Sequence, residues 1–348
     1  VSGDATTLDF ADDDEVQASF RERGWTDGLP VVAPTATRVG AMLEWAGYSA
    51  DHVLGVEPVK ARALTAQKVA INAVMAGCLP PDFPVVAGAV QALCDERLLV
   101  HGATASTGGC AILLLVNGPI RRLLGMSSAH SALAGPDRAS VCIGRAVRLV
   151  LRNQLEARPG QLDRSTLGHP GKLSWCVAED EEGGRPWLPL GLERGLPADV
   201  SSVTVLAASG PRQVMNEWTT DPRELATTYV AEMKASMLHY SIWPGNYVLV
   251  VPPQSRQAFH AAGWSKADLR DYIFDHARVS RADWQRVGKG AIVNDANRGH
   301  QHLALNAPED LLIVSAGGDA GGFAAIIPPW LGPKSAAVTA PIGVCVEC

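Results

Sequence analysis

The segment Ala111–Pro119, AILLLVNGP, is an aliphatic run too short to make a full helix, and it stops on Asn117, Gly118 and Pro119, residue types that end regular structure. A strand covered on both faces needs such an uninterrupted run, because neither side of it meets water. The same pattern recurs in SVTVLAASGP at 202–211, in YVLVVPP at 247–253 and in DLLIVSAGGDAGG at 310–322. Helical patterns fall between these runs. ALTAQKVAINAVMAGC (63–78) and PPDFPVVAGAVQALC (80–94) are apolar nearly all round, as helices buried between layers are. GPDRASVCIGRAVRLVLRNQL (135–155) enters a helix through Gly135 and Pro136. In DPRELATTYVAEMKASM (221–237), Leu225, Tyr229, Met233 and Met237 recur on one helical face. Ser265 and Asp268 in SKADLRDYIFDHA have the spacing of a capping box. Strands that alternate with helices predict an α/β architecture.

The chain has 348 residues, of which 47% are hydrophobic and 19% charged, enough for one large or two smaller packed domains. The expected organisation is two lobes with a cleft between them. The first lobe is 1–155, the Gly-, Pro- and acid-rich stretch 156–196 connects, 197–342 is the second lobe, and 343–348 is a thiol-bearing tail. LLLVNGP and TVLAASGP echo each other loosely, but the likeness is too short to define a repeat. A net charge of -6 argues against nucleic acid as a partner, since phosphate binding needs a basic footprint. The apolar runs are much shorter than a bilayer span, which argues against a membrane. The opening VSGDATTLDFADDDE has neither the basic start nor the apolar core of a secretory signal, and a cytoplasmic location is expected.

Seven cysteines at irregular spacing, Cys78, Cys94, Cys110, Cys142, Cys176, Cys345 and Cys348, read as reduced thiols rather than as a disulfide framework. Cys345 and Cys348 form a Cys-x-x-Cys pair able to cycle between dithiol and disulfide, although the extended residues before it, with Pro341, lack the helix start that would acidify the first thiol. Cys110 borders the turn Ser106, Thr107, Gly108 and Gly109, whose backbone dipoles would favour a thiolate nucleophile. Cys142 reads as core. Gly317, Gly318 and Asp319 form a second glycine-rich turn after a strand, and both turns are candidates for gripping a small carboxylate or phosphate ester. Neither is a dinucleotide or triphosphate loop. Both also read as tight turns that allow close packing.

His169 and Lys172 in LGHPGK are candidates for an acid or base and for a cation facing substrate, whereas the glutamates of AEDEEGG read as solvated. Arg138, Arg145 and Arg148 make one helix face basic; it either holds an anion, Arg138 foremost, or meets solvent. No cofactor is required by these motifs. A metal ion is the remaining option, with His300 and His302 of GHQH as the residues that would hold it.

GWTDGLPVVAPT, KVAINAVMAGCLPPDFPVV, LLLVNGPI, IGRAVRLVLRN, LGHPGK and AAGWSKADLRDYIF, taken jointly, resemble an uncharacterised bacterial family associated with UGSC-type selenocysteine- or cysteine-containing proteins. The likeness covers most of residues 24–342 and excludes the terminal GVCVEC. It implies no assigned reaction; it does imply thiol or redox chemistry and a thiol- or selenol-containing partner protein. The leading expectation is therefore an enzyme using cysteine chemistry, redox or sulfur transfer, on a small anionic metabolite. Two other readings stand beside it: a non-redox lyase or hydrolase, metal-assisted or using His169, and a carrier or binding subunit for the thiol partner.

Overall fold

The computed structural model describes residues 7–240, 243–292, 296, 299–330 and 335–343. Cys345 and Cys348 lie outside the described residues. The strands in chain order are β1 (Val53–Glu57), β2 (Arg62–Thr65), β3 (Ala111–Asn117), β4 (Cys176–Ala178), β5 (Ser202–Ala208), β6 (Arg212–Met215), β7 (Tyr247–Val251), β8 (Arg278–Ser280), β9 (Gln301–Leu303), β10 (Leu311–Ser315), β11 (Phe323–Ile327) and β12 (Val338–Pro341). Each of the four apolar runs forms a strand, and helices intervene, so the fold is α/β. One four-stranded sheet has the order β12-β5-β3-β4 and the other β10-β7-β11-β6. β1 with β2 and β8 with β9 form small antiparallel pairs outside them.

Alternation along β3 explains the layering. Leu114 and Val116 turn to one face and pack with the helices Ala66–Ala76, Phe83–Leu93 and Arg138–Asn153. Leu113 and Leu115 turn to the other and pack against Val248, Val250, Leu312 and Val314 of the second sheet. Leu249, Val251 and Ile313 then face the helices Pro222–His239, Pro253–Ala261 and Lys266–His276. The order is helices, sheet, sheet, helices. β3, β5, β7 and β10 are covered on both sides, which is why those runs are continuously apolar. The space between the sheets is filled by this inner core.

The two sheets share one plan. In the first, β3 is parallel to β4 and antiparallel to β5, which is antiparallel to β12. In the second, β7 is parallel to β10 and antiparallel to β11, which is antiparallel to β6. β3-β4-β5-β6 therefore repeats as β7-β10-β11-β12, and the last strand of each set completes the other set's sheet. The division expected at 197 does not follow this plan, because β5 and β12, both beyond it, are built into the sheet of β3. The echo of LLLVNGP in TVLAASGP is not the structural correspondence either; those runs are the paired neighbours β3 and β5. Backbone pairing over such separations leaves no local trace for composition to reveal.

Candidate ligand-binding cleft

The carboxyl ends of β3 and β4 and the start of β5 open onto a cleft of about 640 Å3. Open α/β sheets place ligands at this end of their strands, and the volume suits a metabolite. Asn117 and Gly118 form part of its floor, Arg122, Glu181, Glu182 and Arg185 supply charge, and Leu188, Pro189 and Leu192 contribute apolar wall. Gly118 has φ +88°, and a β-carbon there would meet the Ser201 Cα at 2.5 Å, so glycine is what lets the chain turn off β3 against β5.

The acidic segment after β4 is anchored from within. Glu179 is 2% exposed; its Oε2 accepts from Asn117 Nδ2 at 2.6 Å and from the Leu190 backbone N–H at 2.7 Å. Its Oε1 faces Lys266 Nζ and the Ser315 backbone N–H, both at 3.4 Å. Arg121, also buried, donates to the Glu179 carbonyl at 2.6 Å and pairs with Glu181 at 2.8 Å. Glu181 Oε1 in turn accepts from Gly118 N at 2.6 Å and from Asn117 Nδ2 at 3.0 Å. Glu182 reaches Arg122 at 2.9 Å. Burial opposes its ionisation, but hydrogen bonding and charge from Arg121 and Arg122 prevail and hold its carboxyl below the ordinary range. The glutamates expected to be solvated thus include a fully buried one. With Arg121 set against Glu181 and Arg122 against Glu182, Arg185, which lines the cleft, makes no ion pair among the described residues.

Among the described residues, none of the site residues singled out in the sequence lines this cleft, and several lie at the opposite end of β3. Cys110 precedes β3 and Asn117 ends it, a separation of about 23 Å for an extended strand. Ser106, Thr107, Gly108 and Gly109 lie at the Cys110 end with His169 and Lys172. Ser106 Oγ accepts from the Gly108 N–H at 2.9 Å and from Trp330 Nε1 at 3.0 Å, which closes the turn on itself. Gly109 has φ +70°, and a β-carbon there would come 2.9 Å from Gly168 N, so this glycine permits close packing. Lys172 Nζ is held by Asp163 at 2.7 Å and Ser165 Oγ at 2.6 Å. His169 Nδ1 accepts from the Gly171 N–H at 3.2 Å while Nε2 faces the Ala208 carbonyl at 3.3 Å. The lone pair a base would use is thereby engaged.

Burial pushes the Cys110 thiol up to about 12, with nearby Lys172 opposing it, and the sulfur donates to the Ala103 carbonyl at 3.2 Å. Burial likewise raises Cys78, Cys94, Cys142 and Cys176. None of the described thiols is activated, and none lines the cleft.

Arg138 pairs with the buried Asp82, Arg145 with Asp27 at 2.8 Å and Arg148 with Asp163 at 3.6 Å, so the basic helix face is tied to the protein's own carboxylates. Gly317, Gly318 and Asp319 follow β10 in the other sheet. The Gly317 N–H donates to the Ser128 carbonyl at 2.8 Å, and Asp319 meets His130 at 3.3 Å on the surface. His302 packs its ring on Trp284 at 4.6 Å, and the His300 carbonyl accepts from the Arg281 N–H. Among the described residues no three His, Cys, Asp or Glu side chains are grouped to hold a metal ion, and no helix is long and apolar enough to cross a membrane.

Asn117, Arg122 and Arg185 were not singled out by the sequence reading. The available signal was the Asn-Gly-Pro turn closing the strongest strand, which marks a carboxyl end facing a crevice. The sequence matches no family model, and no curated protein matches it at a significant level.

Proposed function

We propose that this chain binds a small anionic metabolite in the cleft at the carboxyl ends of β3 and β4. The observation that carries this reading is Arg185, a cation with no ion-pair partner among the described residues, at the mouth of a metabolite-sized cleft. Its guanidinium suits a carboxylate or phosphate, and Arg122, paired with Glu182, lines the same cleft. The apolar wall from Leu188 to Leu192 supports a ligand with a carbon skeleton rather than a bare inorganic ion. The thiol reading finds no support among the described cysteines.

Titration calorimetry with a panel of small mono- and dicarboxylates and phosphate monoesters tests the proposal. At least one should bind the wild-type protein. Arg185→Ala should weaken it by roughly tenfold, as loss of one charge-assisted contact does, and Cys110→Ser should leave it unchanged. Absence of binding across the panel, or full affinity in Arg185→Ala, overturns the proposal.

A further inference from the structure

We infer that the ligand of the cleft carries a hydrogen-bond donor, a hydroxyl or an amino group, beside its anionic group, and that Asn117 and Ser202 recognise that donor. This rests on the cleft being the binding site.

Asn117 is 2% exposed, and its Nδ2 donates to Glu179 and to Glu181. Ionised carboxylates only accept, so the amide has one satisfactory orientation: nitrogen toward the glutamates, oxygen away from them. That oxygen has no hydrogen-bond partner among the described residues. Ser202 is the residue paired with Asn117 across β3 and β5; it is wholly buried, and its Oγ is also without a partner. Buried polar atoms are ordinarily satisfied, and two orphans side by side at one end of a strand pair need a common explanation.

Asn117 lines the cleft, and so does Gly191, which lies against both groups. A β-carbon on Gly191 would lie 3.0 Å from Ser202 Oγ and 3.1 Å from Asn117 Cβ, so any larger residue at this point of the wall would press on the pair. The pair offers one obligate acceptor, Asn117 Oδ1, and one hydroxyl that can donate or accept. An unsubstituted carboxylate or phosphate brings acceptors alone and leaves Asn117 unsatisfied. A hydroxyl or an ammonium satisfies it. A site built to bond such a donor rejects the analogue that lacks it, because the protein's own buried group is then stranded.

Matched ligands isolate this effect. Calorimetry would compare succinate with malate and aspartate, propionate with lactate and alanine, and propyl phosphate with glycerol 3-phosphate, on the wild type, Ser202→Ala and Gly191→Ala, each checked for native melting. In at least one set the donor-bearing member should bind wild type roughly tenfold or more tighter than its unsubstituted partner. Ser202→Ala should narrow that ratio, and Gly191→Ala, whose β-carbon presses on both groups, should narrow it further. Whether the hydroxyl or the amino member leads identifies the donor. Equal affinities within every set that binds overturn this inference and leave the cleft standing. A ratio untouched by both substitutions overturns it as well. Failure of every compound to bind overturns both.

Discussion

Glu179 Oε1 and Lys266 Nζ lie 3.4 Å apart with side chains 2% and 4% exposed, and they join the end of β4 in one sheet to a helix that covers the other. Lys266 also donates to the Leu188 carbonyl at 2.6 Å and pairs with Glu193 at 3.2 Å. Removing Glu179 takes a buried carboxylate from Lys266, which keeps Glu193, and leaves the Leu190 N–H and Asn117 Nδ2 each short of an acceptor. Glu179→Ala should therefore cost about 3 kcal/mol of stability, whereas replacing both partners by apolar residues of similar volume should cost much less. Urea denaturation midpoints of the single and double variants test this. A single variant within about 0.5 kcal/mol of wild type would show that the pair is not buried as described.

The native thiols should resist alkylation. With Cys110 raised to about 12 by burial, roughly one molecule in ten thousand carries the thiolate at pH 8. Iodoacetamide followed by mass spectrometry should leave Cys78, Cys110 and Cys176 unlabelled in the folded protein and label all of them in denaturant. Labelling of Cys110 in the native state at the rate of an unhindered thiol would return it to candidacy as a nucleophile.

His169 should make stability fall on acidification. Burial lowers its pKa below the ordinary 6.5; the Ala208 hydrogen bond opposes this, and the charges of Lys172 and Arg212 add to it. The unfolded chain thus takes up the proton first. Its contribution to stability is complete above 6.5 and is lost as pH drops through that value toward the lowered one. His169→Gln should remove this component, so the stability difference between wild type and variant should shrink between about pH 8 and about pH 5. A difference that grows over that interval would mean that the imidazole is held charged.

What the sequence disclosed follows from the range of the interactions involved. The strands were legible because AILLLV or YVLVV is covered on both faces, and coverage leaves its mark residue by residue. The helix beginning after Ser265 was legible too, since its capping box with Asp268 spans one turn. The glutamates after β4 were misread because the partners that bury them are remote: Arg121 is 58 residues from Glu179 and Lys266 is 87. The arginines of the helix Arg138–Asn153 posed the same difficulty, for Arg145 finds Asp27 across 118 residues. Two polar atoms left over on neighbouring strands, as at Asn117 and Ser202, emerge only once every other donor has been accounted for.

The reciprocal placement of β6 and β12 ties the molecule together by topology as well as by packing. Thr204 and Thr339, hydrogen-bonded between β5 and β12 at 2.8 Å, are separated by 135 residues. A fragment ending between Met215 and Tyr247 would hold three strands of one layer and a lone edge of the other, each with a bare rim open to misassociation. Order in the two halves must arise together, late and slowly, as closure of so long a loop demands. The two layers should then melt as one cooperative unit, with neither able to loosen while the other stays intact.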